Sequence, residues 1–158
     1  MPWLPLLWVP FFLAMQTKTQ YFQAIDAPIA LIFLAFGLIL DTLWLYFGFI
    51  EYTNNWPIPG LAPIWILILW FGVGFDFRHS LAWVAQRPLI GGAICGASAP
   101  MSYFSGQALG LAVIPEWALI PFVASLFITW AIAFPMIGQY ILRLEKTPRF
   151  QPTENDIL

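Results

Sequence analysis

Long hydrophobic stretches alternate with short polar segments along this chain. Crossing a bilayer as a helix takes about 20 apolar residues at a rise of about 1.5 Å each. Four stretches meet that length: residues 28–50, 61 to about 84, 89 to about 112, and 117–142. A fifth, residues 2–15, is shorter and carries three prolines, so it either spans a thinned region or lies at the interface. The pattern predicts an all-α, polytopic membrane helix bundle of about five transmembrane helices.

The polar segments between these stretches carry turn-forming residues. They read "EYTNNWPIPG" at 51–60, "AQRP" at 85–88 and "IPEW" at 114–117. After the last stretch, residues 143–158 are polar and contain two prolines. We therefore expect a single transmembrane helical domain over residues 1–142, followed by a polar tail at 143–158.

Composition supports a membrane protein and excludes several kinds of chemistry. Only 9% of the residues are charged, against roughly 25% in soluble domains, so the lipid bilayer is an expected partner. A net charge of −2 gives no indication of nucleic-acid binding. One cysteine and one histidine exclude an internal disulfide and multi-histidine or four-cysteine metal sites. Without a Walker, GxGxxG or HExxH sequence, we expect no cofactor and no metal.

The six basic residues divide unevenly among the polar segments. None lies in the segments at 51–60 and 114–117. All lie in the first connection, at or near the third, or in the tail, at Lys18, Arg78, Arg87, Arg143, Lys146 and Arg149. The positive-inside rule therefore places the C-terminus in the cytoplasm.

Asp41 lies in the middle of the stretch at 28–50, where a lone carboxylate costs several kcal/mol, or at least ~2.5 on insertion scales. At about 100° per residue it shares a face with Ala30, Gly37 and Gly48, so it should point toward other helices. Tyr103 lies at the same depth on the fourth stretch. It shares its face with the small residues Gly92, Gly96, Ala99, Gly106 and Gly110. We expect Asp41 and Tyr103 to meet in a buried polar cluster, which either forms a site or holds the helices together.

A second polar group, "DFRHS" at 76–80, lies nearer the cytoplasmic end. On the third stretch, Asp76 and His79 share a face with Trp65, Gly72 and Trp83. Asp76 and His79 are three residues apart, so the carboxylate could orient the imidazole as a general base. Alternatively, Asp76 could pair with Arg78 in an interfacial ion cluster. Ser80 follows, but without a Gly-x-Ser-x-Gly elbow a serine hydrolase has little support.

Three stretches resemble a family of bacterial inner-membrane proteins labelled domain of unknown function twenty-eight seventy-eight: "GLILDTLWLYFG", "LAPIWILILWFGVGFDFRHSLAWV" and "APMSYFSGQALG". The resemblance covers residues 2 to about 142 and implies a multi-pass protein of the bacterial inner membrane. It also implies one more apolar helix at the start than this sequence has, and a neutral amide in place of Arg78. The positions that it singles out are Asp41, Trp65, His79, Ser80, Trp83, Tyr103 and Gly106.

Three hypotheses for function follow. The resemblance implies a lipid-related role, because such proteins are often encoded beside enzymes that modify unsaturated fatty acids. The first hypothesis is therefore an enzyme or accessory subunit in membrane-lipid modification, with Asp41, His79 and Tyr103 as catalytic residues. Its substrate-binding residues would be Trp65, Asp76, Ser80, Trp83 and Gly106. The second is a binding or transport component for a lipid or small molecule, and the third is a structural partner of another membrane protein.

Overall fold

The computed structural model describes Gln23 and residues 25–146 as a helix bundle with one small pair of strands. The helices are α1 (Asp26–Tyr46), α2 (Ile64–Asp76), α3 (Ala82–Gln86), α4 (Pro88–Ala108) and α5 (Leu119–Glu145). A π-helical turn at Phe77–Leu81 joins α2 to α3, and a 3₁₀ turn at Glu116–Ala118 leads into α5. The strands β1 (Glu51–Tyr52) and β2 (Ala112–Val113) pair antiparallel.

Three of these helical segments are long and apolar enough to cross a membrane by length and composition. They are Asp26–Tyr46, the continuous rod Ile64–Gln86, and Glu116–Glu145. Helix α4 has 21 residues, as α1 does, and packs along α5. The predicted all-α membrane bundle is confirmed for the described part of the chain. The predicted short span at residues 2–15 lies outside the described residues.

Glycines set the distance between α1 and α2. A Cβ built on Gly37 would lie 2.2 Å from the Trp70 indole, and one on Gly74 would lie 2.8 Å from the Cα of Ala30. Any larger residue would force the helices apart, so both glycines are required for this approach. The result is an antiparallel pair in which the Trp70 ring fills the space over Gly37.

The pair α4 and α5 also approaches closely at glycines. Helix α4 and the residues after it contain two glycine pairs with GxxxG spacing, Gly92–Gly96 and Gly106–Gly110. A Cβ on Gly92 would lie 2.4 Å from the carbonyl oxygen of Ala131, and one on Gly96 would lie 2.7 Å from that of Phe127. A Cβ on Gly106 would have nothing within 4 Å, and Gly110 lies beyond the helix at φ +71°. The first GxxxG pair therefore packs two helices, whereas the second does not.

An aromatic core joins the two helix pairs. The ring centroids of Phe33 and Phe134 are 5.3 Å apart, and those of Trp70 and Trp130 are 5.2 Å apart. Edge-to-face and tilted contacts at these distances suit the ring quadrupoles. The core thus packs α1 and α2 against α5.

Several element ends differ from the sequence-based expectation. Helix α1 ends at Tyr46 and the chain turns at Gly48, whose φ is +70°, so Gly48 leaves the face on which it was expected. Helix α5 continues to Glu145, so the expected tail begins inside a helix. The strand pair was not predicted, because two-residue strands leave no periodic signal.

Candidate functional site

The side chain of Asp41 is fully buried and accepts three hydrogen bonds from three other segments. Oδ1 accepts from the hydroxyl groups of Tyr52 and, at 2.9 Å, Tyr103. Oδ2 accepts from the indole nitrogen of Trp70 at 2.6 Å. The carboxylate therefore links α1 to β1, α2 and α4. The expected contact between Asp41 and Tyr103 is present.

Each donor is held in place by its own surroundings. The β1–β2 pairing sets Tyr52 opposite Ala112, which fixes the connection after α1 over the carboxylate. Gly37 leaves room for the Trp70 ring. The Tyr103 ring packs edge-to-face on Trp44 at 5.6 Å and on Phe122 at 5.4 Å. Since each ring is packed, the three donors are oriented before any ligand arrives.

The Asp41 cluster contains a carboxylate but, among the described residues, no basic side chain. All three partners of Asp41 in the described part of the chain are neutral donors, so none of them supplies a positive charge to the carboxylate. Burial raises the pKa of Tyr52 well above its usual value of 10, and the neighbouring Asp41 charge raises it further. Tyr52 therefore stays protonated and remains a donor.

A cavity of about 380 Å³ lies directly behind these donors. Tyr52, Trp70 and Tyr103 each line it, as well as donating to Asp41. Its remaining described lining comes from α2, α4, α5 and the segments after α1 and α4: Ile50, Trp65, Ile66, Leu69, Val73, Ser102, Ser105, Gly106, Leu109, Leu111, Ala112 and Trp130. This volume lies within the range of small-molecule sites.

Few polar atoms reach this cavity. The indole N–H of Trp130 is buried and has no hydrogen-bond partner among the described residues. The Ser105 hydroxyl donates to the carbonyl of Met101 in its own helix at 2.8 Å. The walls are therefore mainly aromatic and aliphatic, with the carboxylate of Asp41 behind them.

Comparison with known proteins identifies the family. Residues 1–136 match the family described as "Protein of unknown function (DUF2878)". The chain belongs to the DUF2878 family. No curated protein and no solved structure gives a match. Membership agrees with the resemblance that the sequence motifs indicated.

The second polar group of this DUF2878 protein lies at the other end of α1 and differs from its expected pairing. Arg78 donates to Asp26 at 2.9 Å from Nη1, to Glu145 at 2.6 Å from Nε, and to Gln23 at 2.9 Å from Nη2. The expected pair of Arg78 with Asp76 is wrong, because Asp26 at the start of α1 and Glu145 at the end of α5 both reach the guanidinium. An ion cluster is present, but with these two partners.

Asp76 and His79 also have other neighbours than expected. Asp76 accepts a hydrogen bond from the Ser80 hydroxyl at 2.7 Å. The imidazole Nε2 of His79 lies 3.6 Å from Asp26 Oδ2. The π-helical turn at Phe77–Leu81 changes the direction of these side chains, so the spacing expected of a regular α-helix no longer applies.

The candidate residues thus divide into two places. Asp41 and Tyr103 form one cluster, and Trp65 and Gly106 line the cavity beside it. His79 stands beside Asp26, fifteen residues before Asp41, or about 22 Å along α1 at 1.5 Å per residue. Asp76 and Ser80 pair with each other, and Trp83 packs half-buried against the core. The structure does not bring all three expected catalytic residues together.

Two residues of the Asp41 cluster, Trp70 and Tyr52, were missed from the sequence. Trp70 did give a signal, since tryptophans of membrane proteins favour the interface and one in mid-span needs a partner for its N–H. With Ile66 and Gly74 it forms the buried i, i+4, i+8 face of α2. Tyr52 gave none, because a loop residue returns over a helix only through tertiary pairing.

Proposed function

We propose that this protein is a membrane-embedded binding protein for a small, mainly apolar molecule. The observation that carries the proposal is that Tyr52, Trp70 and Tyr103 are at once the donors to Asp41 and walls of the cavity. Their hydrogen bonds fix the orientation of the rings, so little conformational entropy is lost when a ligand binds. A preformed, mostly apolar cavity with a few fixed polar groups is typical of ligand sites.

An enzyme that modifies membrane lipids has weaker support. A general base must lie within hydrogen-bond reach of the proton that it removes. Both oxygens of Asp41 already accept hydrogen bonds, and Asp41 is not among the residues that line the cavity. His79 lies with Asp26 at the other end of α1. A purely structural role would account for the hydrogen bonds of Asp41 but not for the cavity beside them.

We also propose a location in the bacterial inner membrane with the C-terminus in the cytoplasm. Basic residues support this orientation, because Arg78, Arg87 and Lys146 follow the ends of α2, α3 and α5, and Arg143 lies in the last turn of α5. A Cys95→Ala chain carrying one new cysteine at exposed Asn54 or Lys146 tests it. An impermeant thiol reagent should label whole cells only at position 54, and labelling only at position 146 would reverse the proposed orientation.

The binding proposal can be tested by filling the cavity. Gly106 lines it, and a Cβ at this position meets nothing within 4 Å, so Gly106→Leu should occupy the space without displacing the helix. Gly72 is the matched control. It is also a half-buried helical glycine with an open Cβ position, and it is not among the residues that line the cavity.

The measurement is quenching of tryptophan fluorescence by 1-bromonaphthalene, with protein in neutral maltoside micelles. Trp65, Trp70 and Trp130 line the cavity, so a bound bromoarene should quench them saturably. We expect Gly106→Leu to weaken saturable quenching at least about tenfold, the effect of losing about 1.4 kcal/mol of binding. Gly72→Leu should bind as the unaltered protein does. Equal quenching in both variants would contradict the proposal.

A further inference from the structure

We infer that the ligand of this cavity is an organic cation whose charge is shielded by carbon groups, as in a quaternary ammonium. This inference rests on the proposed function and names the chemical class of the ligand. It follows from the charge of the site, the composition of its walls and the polar atoms that the walls lack.

The charge of the site is uncompensated among the described residues. Asp41 is completely buried, and its three partners, Tyr52, Trp70 and Tyr103, are neutral. The other buried carboxylate, Asp26, has Arg78 at 2.9 Å. A buried charge without a counter-ion favours a ligand of opposite sign, because Coulomb attraction is strong where the dielectric constant is low.

The walls of the cavity suit a cation. Five aromatic residues line the space: Tyr52, Trp65, Trp70, Tyr103 and Trp130. The rings of Trp65 and Tyr52 stand edge-to-face at 5.8 Å, and those of Trp70 and Trp130 are tilted at 5.2 Å. Aromatic faces attract cations, tryptophan most strongly, and cages of such rings recognise quaternary ammonium groups.

The shortage of hydrogen-bond acceptors in the walls limits which kinds of cation could bind. The described lining residues carry no carboxylate or amide side chain. A hard metal ion prefers several oxygen ligands, and a primary ammonium needs acceptors for three N–H groups. A quaternary ammonium needs neither, because its charge is covered by methyl or methylene groups. An anion would meet the negative charge of Asp41.

The experiment compares two isosteric probes, benzyltrimethylammonium and neopentylbenzene, which differ in one atom and one charge. Each displaces 1-bromonaphthalene from the protein in neutral maltoside micelles. We expect the cation to bind about tenfold more tightly than its neutral isostere. In Asp41→Asn, which keeps the shape and removes the charge, the preference for the cation should fall to the part that the aromatic rings alone provide.

Trp65→Leu provides a second variant if Asp41→Asn does not fold. Trp65 is half-buried, so its replacement disturbs the core little, and loss of its ring should reduce the preference for the cation. Equal affinity of the two probes in the unaltered protein would overturn the inference and leave the proposed function intact. An undiminished preference in Asp41→Asn, or in Trp65→Leu when that variant replaces it, would also overturn the inference. Failure of every probe, 1-bromonaphthalene included, would overturn the proposed function as well.

Discussion

The hydroxyl group of Tyr52 joins a strand outside the helices to a carboxylate inside them. Its side chain is 7% exposed and donates to Asp41, which has no exposure at all. A hydrogen bond to a charged acceptor contributes about 1.5–3 kcal/mol, more than one between neutral groups. This contact therefore links the β1–β2 pair directly to the buried carboxylate of α1.

Replacing Tyr52 by phenylalanine should lower the free energy of unfolding by about 2 kcal/mol at neutral pH. The difference should shrink above about pH 10, because the unfolded phenol ionises there while the buried one, with its raised pKa, stays protonated. Thermal unfolding in micelles at several pH values measures both effects. Tyr46→Phe is the control, since Tyr46 is 81% exposed. An equal effect of the two changes would contradict the assigned hydrogen bond.

Replacing Gly37 by alanine should lower the stability of the protein, although the same change usually stabilises a helix. Alanine normally stabilises a helix relative to glycine by up to about 1 kcal/mol. At Gly37 the added Cβ would lie 2.2 Å from the Trp70 ring, so Gly37→Ala should instead destabilise the protein by about 1–3 kcal/mol. Gly72→Ala, with open space around its Cβ, should show no loss. Unfolding midpoints in micelles decide the matter, and a stable Gly37→Ala would mean that Trp70 lies elsewhere.

At the residue scale, the sequence identified the acceptor better than its donors. Asp41 and Tyr103 could be placed together because both lie on small-residue faces at equal depth, and they are 2.9 Å apart. Trp70 was missed because a different face of this helix, the one with Trp65 and Gly72, was assigned to the bundle interior. Arg78 was assigned a neighbour in sequence, whereas its partners, Asp26 and Glu145, come from distant segments. Contacts between helix ends depend on tertiary structure, which periodicity does not contain.

At the element scale, the helices themselves follow from hydrophobic length, whereas their packing depends on which small residues meet a neighbour. Two GxxxG pairs occur on α4 and its continuation. Gly92 and Gly96 face carbonyl oxygens of α5, while Gly106 faces the cavity. The spacing alone could not distinguish a packing surface from a cavity wall, because both need small side chains.

That difference predicts opposite responses to the same substitution. Gly92→Ala would place a Cβ 2.4 Å from the Ala131 carbonyl oxygen and should destabilise the protein by about 1–3 kcal/mol, because α4 must move away from α5. Gly106→Ala, which meets nothing within 4 Å, should be close to neutral. Unfolding midpoints of both variants give the comparison. Equal destabilisation would show that α4 packs through both glycines.

At the scale of the whole molecule, two polar clusters hold the bundle at different depths. The Asp41 cluster links α1 to α2, α4 and β1 through neutral donors. The Arg78 cluster links the start of α1 to the end of α5 through ion pairs. Only in the second does the buried carboxylate, Asp26, have a cation as partner within the described residues, so loss of a partner should affect stability differently in the two clusters.

Arg78→Met tests the Arg78 cluster. It would leave Asp26 fully buried without its guanidinium and should destabilise the protein by about 3 kcal/mol, the usual effect of leaving a buried charge unpaired. Adding Asp26→Asn removes that charge, so the double variant should recover most of the loss. Arg87→Met, at an exposed position, is the control and should change little. Unfolding midpoints measured in micelles at constant salt give all three values. If the double variant were less stable than Arg78→Met alone, Asp26 would stabilise the bundle through contacts other than Arg78, and the ion pair would no longer explain how α1 and α5 are joined.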